Sequence, residues 1–256
     1  RLNSDGSLDT TFVPYFNNAG FLRIESLVLQ NDGKIVVGFY GGLGMKRLNT
    51  DGSQDTTFTF PLSPTASIIY DIAITPTGGF MIVGFLGQNQ YIVRLNANGS
   101  FDNTITPTQP NGAVNTLQLL SDGSYFTCGD FTQVGVIFRG RVAKFNADGT
   151  LNTVFNPLGG ANAGVFDCKV QTNGKLVIGG YFTSINGSNL QKFIGRFNTN
   201  GTIDTSFAQS VNSPLVNGQV TSVEIQADGK ILVGGIFADV GGTARNNLTR
   251  LNSNGS

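Results

Sequence analysis

The stretch RLNSDGSLDTTF, residues 1–12, decides how this sequence is organised, because it returns along the whole chain. Close copies begin at residues 47, 94, 144 and 196, and the opening half returns at residues 250–256. A second phrase lies between the copies, as in DGKIVV at residues 32–37 and DGKILVGG at residues 228–235. Repetition at a period of about 50 residues is typical of propellers, solenoids and other repeat arrays.

Each repeat carries two tight-turn signals that divide it into short strands. In the first repeat, the alternating segment 26–30 is followed by Asp32-Gly33, a pair that supplies the positive φ angles of a hairpin turn. The chain then returns through residues 35–37, which are consecutively apolar and therefore expected to be covered on both faces. A second Asp-Gly or Asn-Gly pair, inside the RLNSDGS phrase, separates a third strand from a fourth.

Four antiparallel strands in about 50 residues match one blade of a β-propeller. The sequence therefore predicts an all-β fold, a β-propeller of four-stranded blades in a single domain over residues 1–256. Blade repeats are expected at residues 13–58, 59–105, 106–155, 156–207 and 208–256, the last completed by residues 1–12. We expect residues 7–12 to pair with residues 248–251 and close a ring of five blades, since closure removes an open sheet edge. The alternative is five blades of a longer propeller or array.

The two phrases together closely resemble the delta-60 repeat family, over essentially the whole chain. The match is clearest at residues 1–12, 173–182 and 228–237. The second repeat departs from it with Thr-Pro-Thr-Gly-Gly at residues 75–79, and Asn152 stands where the other copies have Asp. The resemblance implies a β-propeller in large secreted, surface or phage-encoded proteins of bacteria. It implies no established chemistry.

Composition narrows the classes of partner. Charged residues are 12% of the chain and the 16 basic residues balance the 16 acidic ones, so the sequence lacks the basic surface that nucleic acids require. No apolar run approaches the ~20 residues of a membrane span. A surface rich in neutral polar residues is common in secreted, cell-surface and virion proteins. Because the chain opens and stops inside a repeat, we expect it to be part of a larger chain or assembly.

The recurring carboxylates are candidates for catalysis or metal binding, and they stand at Asp9, Asp55, Asp102 and Asp204. The chain has no His, the usual base and zinc ligand, and a group placed by a repeat lacks the dissimilar partners of an active site. The pattern Asn3-x-Asp5-x-Ser7-x-Asp9 resembles a calcium loop but lacks the closing Glu, which favours a turn. We therefore expect no enzymatic activity, no catalytic residues, no metal site and no cofactor.

The other recurring side chains are interpreted as structural. The Arg that opens each phrase is expected to pair with the Asp of the same hairpin, and the Phe that ends it to pack between blades. The two cysteines, Cys128 and Cys168, are too few for a disulfide framework and are expected to be buried free thiols.

The loops between the second and third strands vary, and variation on a fixed scaffold is where binding specificity is usually placed. In the last three repeats they extend over residues 132–139, 183–189 and 238–245, which we expect to form a crescent that contributes little to packing. The candidate binding residues are Phe138, Arg139, Asn186, Asn189, Arg245 and Asn246.

These observations predict a non-enzymatic structural or adhesive module of a larger extracellular, cell-surface or virion appendage protein. Its expected partner is a surface glycan or a protein subunit, with no nucleic acid and no membrane insertion. The alternatives are a polysaccharide-active enzyme domain and a purely structural spacer.

Overall fold

The structure, a computed structural model, describes residues 1–16, 23–41, 43–62, 67–87, 90–208, 218–241 and 243–256. The chain divides into two compact units, unit 1 (Arg1–Ile105) and unit 2 (Thr106–Ser256). This division falls at the border predicted between the second and third blade repeats. The single domain therefore stays a prediction. Nowhere in the described ranges is there a helix long and apolar enough to cross a membrane.

Unit 1 contains two antiparallel sheets of three strands each. The first sheet has the order β1 (Ile24–Leu29), β2 (Ile35–Phe39) and β3 (Met45–Leu48), and the second β4 (Ile68–Ile74), β5 (Phe80–Phe85) and β6 (Ile92–Leu95). The strands follow the two tight turns of each repeat, as the sequence predicts. Gly33, at the first of these turns, has a φ of 82°.

Unit 2 contains three further sheets of the same kind, and two of them carry an added hairpin. The third sheet is built from β7 (Val114–Leu119), β8 (Tyr125–Gly129) and β11 (Val142–Phe145), with the hairpin β9 (Gln133–Val134) and β10 (Ile137–Phe138). The fourth is built from β12 (Val165–Val170), β13 (Leu176–Gly180) and β14 (Ile194–Phe197). The fifth is built from β15 (Gln219–Ile225), β16 (Ile231–Ile236) and β19 (Leu248–Leu251), with the hairpin β17 (Asp239–Val240) and β18 (Thr243–Ala244).

The fourth strand expected in each repeat is reduced to a single β-bridge. These bridges join Leu2 to Leu8, Leu48 to Gln54, Leu95 to Phe101, Phe145 to Leu151 and Phe197 to Ile203. In the second copy of the phrase, the backbone amide of Thr57 then donates to Asp55 Oδ1 at 2.9 Å, which bends the chain away from the sheet. After Asp204 the chain even forms a short helix, α1 (Thr205–Ala208), which the sequence did not predict.

Adjacent sheets pack through the first strand of one and the middle strand of the other. In unit 1, Ile69 and Ile72 of β4 lie against Gly38 of β2, in a core cluster that also contains Val36. In unit 2, Val220 and Val223 of β15 lie against Gly179 of β13 in the same way. A side chain at either glycine would occupy the space that the neighbouring aliphatic groups fill.

The two cysteines lie inside one core cluster, whereas the predicted closing strand pair spans the two units. Cys128 and Cys168 are both free and fully buried, as expected, in the core cluster shared by the third and fourth sheets. The closing pair between residues 7–12 and 248–251 would connect the two units and stays a prediction. Within the units, Leu8 pairs with Leu2, and β19 pairs with β16.

Candidate binding face

The repeated Arg, Asp and Phe form a structural group that links one repeat to the next. Arg196 Nε donates to Asp204 Oδ2 at 2.8 Å, and Arg196 Nη1 donates to the carbonyl oxygen of Ser253 at 2.6 Å. The guanidinium carbon lies 4.6 Å from the centre of the Phe207 ring. Equivalent groups are Arg47, Asp55 and Phe58 with the carbonyl of Ala97, and Arg1, Asp9 and Phe12 with the carbonyl of Thr50. The structural interpretation of these residues is confirmed.

The carboxylates of these groups are held in the charged form by the protein itself. Hydrogen bonds from Lys34 and Thr57 lower the pKa of Asp55 far below its usual value. Burial raises the pKa of Asp204, but hydrogen bonds from Lys175 and Ser206 outweigh it and the pKa falls to about 2. Within the part of the chain that the structure describes, no three His, Cys, Asp or Glu residues are grouped as metal ligands.

The turn inside the repeated phrase is an Asx turn. Asp5 Oδ1 accepts hydrogen bonds from the backbone amide of Ser7 at 2.9 Å and from its hydroxyl at 2.7 Å. Gly6 has a φ of 85°, which a residue with a side chain rarely adopts. These bonds account for the Asn-x-Asp-Gly pattern as turn chemistry.

The variable loop at residues 132–139 is a hairpin fastened to the segment before its own sheet. Val134, only 1% exposed, forms a bridge with Pro110, and the amide of Gly135 donates to the carbonyl of Gln109 at 3.0 Å. Asn111 Oδ1 accepts from the amides of residues 132 and 133 at 2.8 and 2.9 Å. The strands β9 and β10 are therefore held in one position.

The loop at residues 183–189 is fastened in the same manner. Asn186 and Gly187, with φ angles of 52° and 77°, form its turn, and Ile185 bridges both Ser188 and Ala161. Ile185 is fully buried in the core cluster of the third and fourth sheets. The expectation that these loops contribute little to packing is therefore wrong: their inward side chains are part of the core.

Of the six predicted binding residues, the structure exposes four, leaves one half-buried and buries one. Phe138 is 52% exposed, and the exposed group also contains Asn189, Arg245 and Asn246. Arg139 is only 4% exposed, and its Nη1 donates to the carbonyl of Phe138 at 2.9 Å. Asn186 Oδ1 accepts from the amide of Gly160 at 2.7 Å. Arg139 and Asn186 therefore each make a hydrogen bond that supports their loop, and their assignment as binding groups stays a prediction.

Two of the three loops are joined through the segment at residues 157–161. The amide of Ala161 donates to the carbonyl of Gly140, next to the first loop, at 3.1 Å. The amide of Asn186, in the second loop, donates to the carbonyl of Gly160 at 2.8 Å. The amide of Arg245, in the third loop, donates to Ala238 of that same loop at 3.0 Å. The crescent of three loops thus stays a prediction, whereas the first two form one surface.

Sequence reasoning missed the apolar character of this surface. Five exposed apolar side chains lie on the first hairpin, on the segment at residues 157–161 and directly after the second loop, and we name them the apolar rim: Val136, Ile137, Phe138, Leu158 and Leu190. Val136 is 96% exposed, the most exposed large apolar residue described. Gly135 could have indicated this surface in the sequence. It forms the hairpin turn with a φ of 56° and so places the next residue, Val136, at the tip.

Sequence comparison places the chain in a family. The profile of the family described as "Domain of unknown function (DUF5122) beta-propeller" matches residues 1–12, 30–58, 86–104, 120–155, 171–207 and 226–256, which is more than half of the chain. The chain belongs to the DUF5122 β-propeller family. No curated protein matches it in sequence.

Solved structures similar to this DUF5122 chain include a β-propeller. The WD40 β-propeller domain of Doa1 matches with a TM-score of 0.58 and 17% identity, over 89% of this chain and 62% of that one. Virginiamycin B lyase from Staphylococcus aureus matches with a TM-score of 0.58 and 14% identity, over 94% and 72%. PorZ of Porphyromonas gingivalis matches with a TM-score of 0.60 and 12% identity, over 95% and 34%. The DUF5122 chain thus spans only part of each, and the likeness shows the fold alone.

These matches correct the expectation that the protein has no enzymatic activity. One of the structures with the same fold is a lyase. A repeated scaffold is therefore compatible with catalysis, and the DUF5122 repeats give no ground for excluding it. A repeat places the same side chains in every copy, whereas an active site can be built from those in which the repeats differ.

Proposed function

We propose that this chain is a structural or adhesive module of a larger extracellular, cell-surface or virion appendage protein, and that it binds its partner through the apolar rim. The supporting observation is the exposure of Val136 and Phe138 on a hairpin fixed by backbone hydrogen bonds. A rigid hairpin loses little conformational entropy on binding, so little of the free energy gained from apolar contact is offset by ordering the loop. A surface location is favoured by the description of PorZ, a similar structure, as a bacterial surface component.

Between a glycan and a protein subunit, the chemistry of the rim favours the protein subunit. Glycan recognition relies on polar groups arranged around an aromatic ring, and of the expected polar groups Arg139 is buried and Asn186 is half-buried with its Oδ1 bonded to the amide of Gly160. The five side chains of the rim are aliphatic, with one Phe, and Asn189 is the exposed polar residue predicted for the two joined loops. Such a surface fits an apolar groove on another protein.

For the architecture we propose five blades of the delta-60 repeat type, each completed to four strands by the segment that now forms one β-bridge. The supporting observation is that four of these bridges start from the third strand of the first four sheets, at the same repeat position, and that Leu2 and Leu8 form the equivalent bridge in the first copy of the phrase. Residues 7–12 are then the fourth strand of the last blade, next to β19.

The test applies fluorescently labelled chain to intact bacterial cells. Pretreatment with protease removes surface proteins, whereas periodate oxidises surface glycans. We expect protease, but not periodate, to abolish binding. The variant Ile137→Asp/Phe138→Asp should no longer bind, whereas Val154→Asp, which alters a residue 78% exposed outside the rim, should bind normally. Equal binding by both variants would contradict the proposed rim, and loss after periodate alone would indicate a glycan.

A further inference from the structure

A carboxylate and an aromatic ring lie side by side where the third and fourth sheets meet in unit 2. Asp130 comes directly after Gly129, which ends the middle strand of the third sheet. Tyr181 comes directly after Gly180, which ends the middle strand of the fourth. The two repeats thus place chemically different side chains at one repeat position, which is a way for a repeated scaffold to carry a local site.

Gly164, in the segment before β12, lets these two side chains approach each other. A Cβ placed at Gly164 would lie 2.3 Å from Asp130 Oδ1 and 2.5 Å from Tyr181 Cε1, closer than a real Cβ comes to other atoms. The carboxylate and the ring therefore border the same small space. The equivalent residues of three other repeats carry side chains: Ile68, Ala113 and Gln219. The close approach is thus particular to this pair of sheets.

The Tyr181 ring is held in place yet remains open to solvent. Its centre lies 5.3 Å from that of the Phe166 ring, with an interplanar angle of 35°, and its backbone amide donates to the carbonyl of Gly164 at 3.2 Å. Tyr181 is 43% exposed, and its hydroxyl has no hydrogen-bond partner among the described residues. A fixed and exposed aromatic ring offers an apolar surface to the C–H side of a sugar ring.

The side chain of Asp130 is also held in place but keeps a free acceptor. Its backbone amide donates to the carbonyl of Ala113 at 2.8 Å, and Arg141 Nη1 donates to its backbone carbonyl oxygen. Asn115 Nδ2 donates to Asp130 Oδ2 at 3.4 Å and to the carbonyl of Val165 at 3.0 Å. Asp130 is exposed, and its Oδ1 accepts no hydrogen bond within the part of the chain that the structure describes. A carboxylate oxygen accepts short, strong hydrogen bonds from hydroxyl groups.

The charges beside the ring favour a neutral ligand over a cation. A carboxylate next to an aromatic ring attracts cations when no other charge is near. Here the guanidinium of Arg141, bonded to the backbone of Asp130 itself, offsets the charge of that carboxylate. Arg141 and Asn115 supply donors and Asp130 supplies an acceptor, and a hydroxyl group uses both because it donates one hydrogen bond and accepts others. We name these residues the ring-and-carboxylate site: Asn115, Asp130, Arg141 and Tyr181.

We propose that the ring-and-carboxylate site binds one pyranose ring of a glycan, with the C–H face of the sugar against Tyr181 and one hydroxyl donating to Asp130 Oδ1. None of its residues belongs to the apolar rim, so this proposal does not depend on the proposed function. Contact with one sugar ring on an open surface buries little of the ligand and is weak. Attachment to cells therefore still depends on the rim.

Saturation-transfer difference NMR with the whole chain tests this site. The probes are the methyl glycosides of glucose, galactose, mannose, fucose and N-acetylglucosamine. For a glycoside that binds, we expect saturation to be strongest at the C–H protons of one face of the ring. Tyr181→Ala and Asp130→Ala should each weaken its binding by about tenfold or more. The matched control is Tyr40→Ala, because Tyr40 holds the equivalent position in the first sheet and is 50% exposed, and this variant should bind like the wild type.

Two further measurements separate this site from the apolar rim. The variant Ile137→Asp/Phe138→Asp should bind the glycoside like the wild type, and Tyr181→Ala should still attach to cells. Circular dichroism should show all variants folded. The absence of saturation transfer from every glycoside, or equal binding by Tyr181→Ala and the wild type, would overturn the proposal. Binding of tetramethylammonium but of no glycoside, lost in Asp130→Ala, would overturn it in favour of a cation site.

Discussion

Arg196 and Asp204 form a buried ion pair that also holds the following repeat. Arg196 Nε lies 2.8 Å from Asp204 Oδ2, and the same guanidinium donates to the carbonyl of Ser253, 57 residues further along the chain. The side chains of the pair are only 6% and 7% exposed. One side-chain pair thus closes its own hairpin and fixes the turn of the next, which is why it recurs with the repeat.

Removing the charge of Asp204 should destabilise the protein strongly. Asp204→Asn leaves Arg196 and Lys175 without their carboxylate in a buried site, so we expect the free energy of unfolding to fall by roughly 3 to 5 kcal/mol. The matched control is Asp9→Asn, because its partner Arg1 is 42% exposed and water can solvate the guanidinium once the carboxylate is neutralised. Urea unfolding should show little change for the control. Equal losses in both variants would contradict the role of burial.

The same carboxylates predict how stability depends on pH. The pKa of Asp204 falls from 3.8 to about 2 on folding, so its ionised form stabilises the native state above pH 3.8. This contribution, about 2 kcal/mol, is lost as the pH falls from 3.8 through 2. Urea unfolding at a series of pH values should show a steep loss in this range for the wild type and a shallower one for Asp204→Asn. Parallel curves would contradict the prediction.

Two glycines at one repeat position should respond differently to the same substitution. Gly179→Ala places a methyl group against Val220 and Val223 and should lower the free energy of unfolding by about 1 to 3 kcal/mol. Gly234→Ala meets no atom closer than 4.0 Å and should change it by less than about 0.5 kcal/mol. Chemical unfolding measures both, and similar values would mean that the sheets do not pack as described.

The variable hairpins should contribute to stability through their inward side chains only. Ile185→Ala removes a fully buried side chain and should cost about 2 to 5 kcal/mol. Ile137→Ala removes one that is 39% exposed and should cost considerably less in the same unfolding experiment. If Ile185→Ala were as stable as the wild type, the hairpin would not belong to the core.

The two thiols should be protected in the native state. Burial raises the pKa of Cys128 well above its ordinary value, and the neighbouring Cys168 raises it further. The reactive thiolate is therefore scarce, and neither sulfur is exposed. We expect 5,5′-dithiobis(2-nitrobenzoate) to label neither cysteine in the folded protein and both in urea. Rapid labelling without urea would show that the third and fourth sheets separate readily.

The positions of the turns and of the first three strands in each repeat were predictable, because they depend on residues that are close in sequence. An Asp-Gly pair forms a tight turn wherever it occurs, and alternating or consecutive apolar residues on either side of it then pair as strands. The ion pair of Arg47 with Asp55 was predictable for the same reason, since both lie in one hairpin. The fourth strand beyond its single β-bridge stays a prediction, because a strand pattern does not reveal the hydrogen bond from Thr57 to Asp55, which competes with sheet pairing.

The sequence by itself therefore determined the repeat, the turns and the all-β fold, whereas the tertiary structure decided which side chains face solvent. Arg139 appears in the sequence as an exposed loop residue, yet packing encloses it, and Val136 beside it becomes the most exposed large apolar residue described. Ile69 and Ile24 hold the same repeat position, but only Ile69 is covered. Turns depend on neighbours along the chain, whereas burial depends on which sheet lies opposite, and a repeated sequence gives every copy the same pattern whatever covers it.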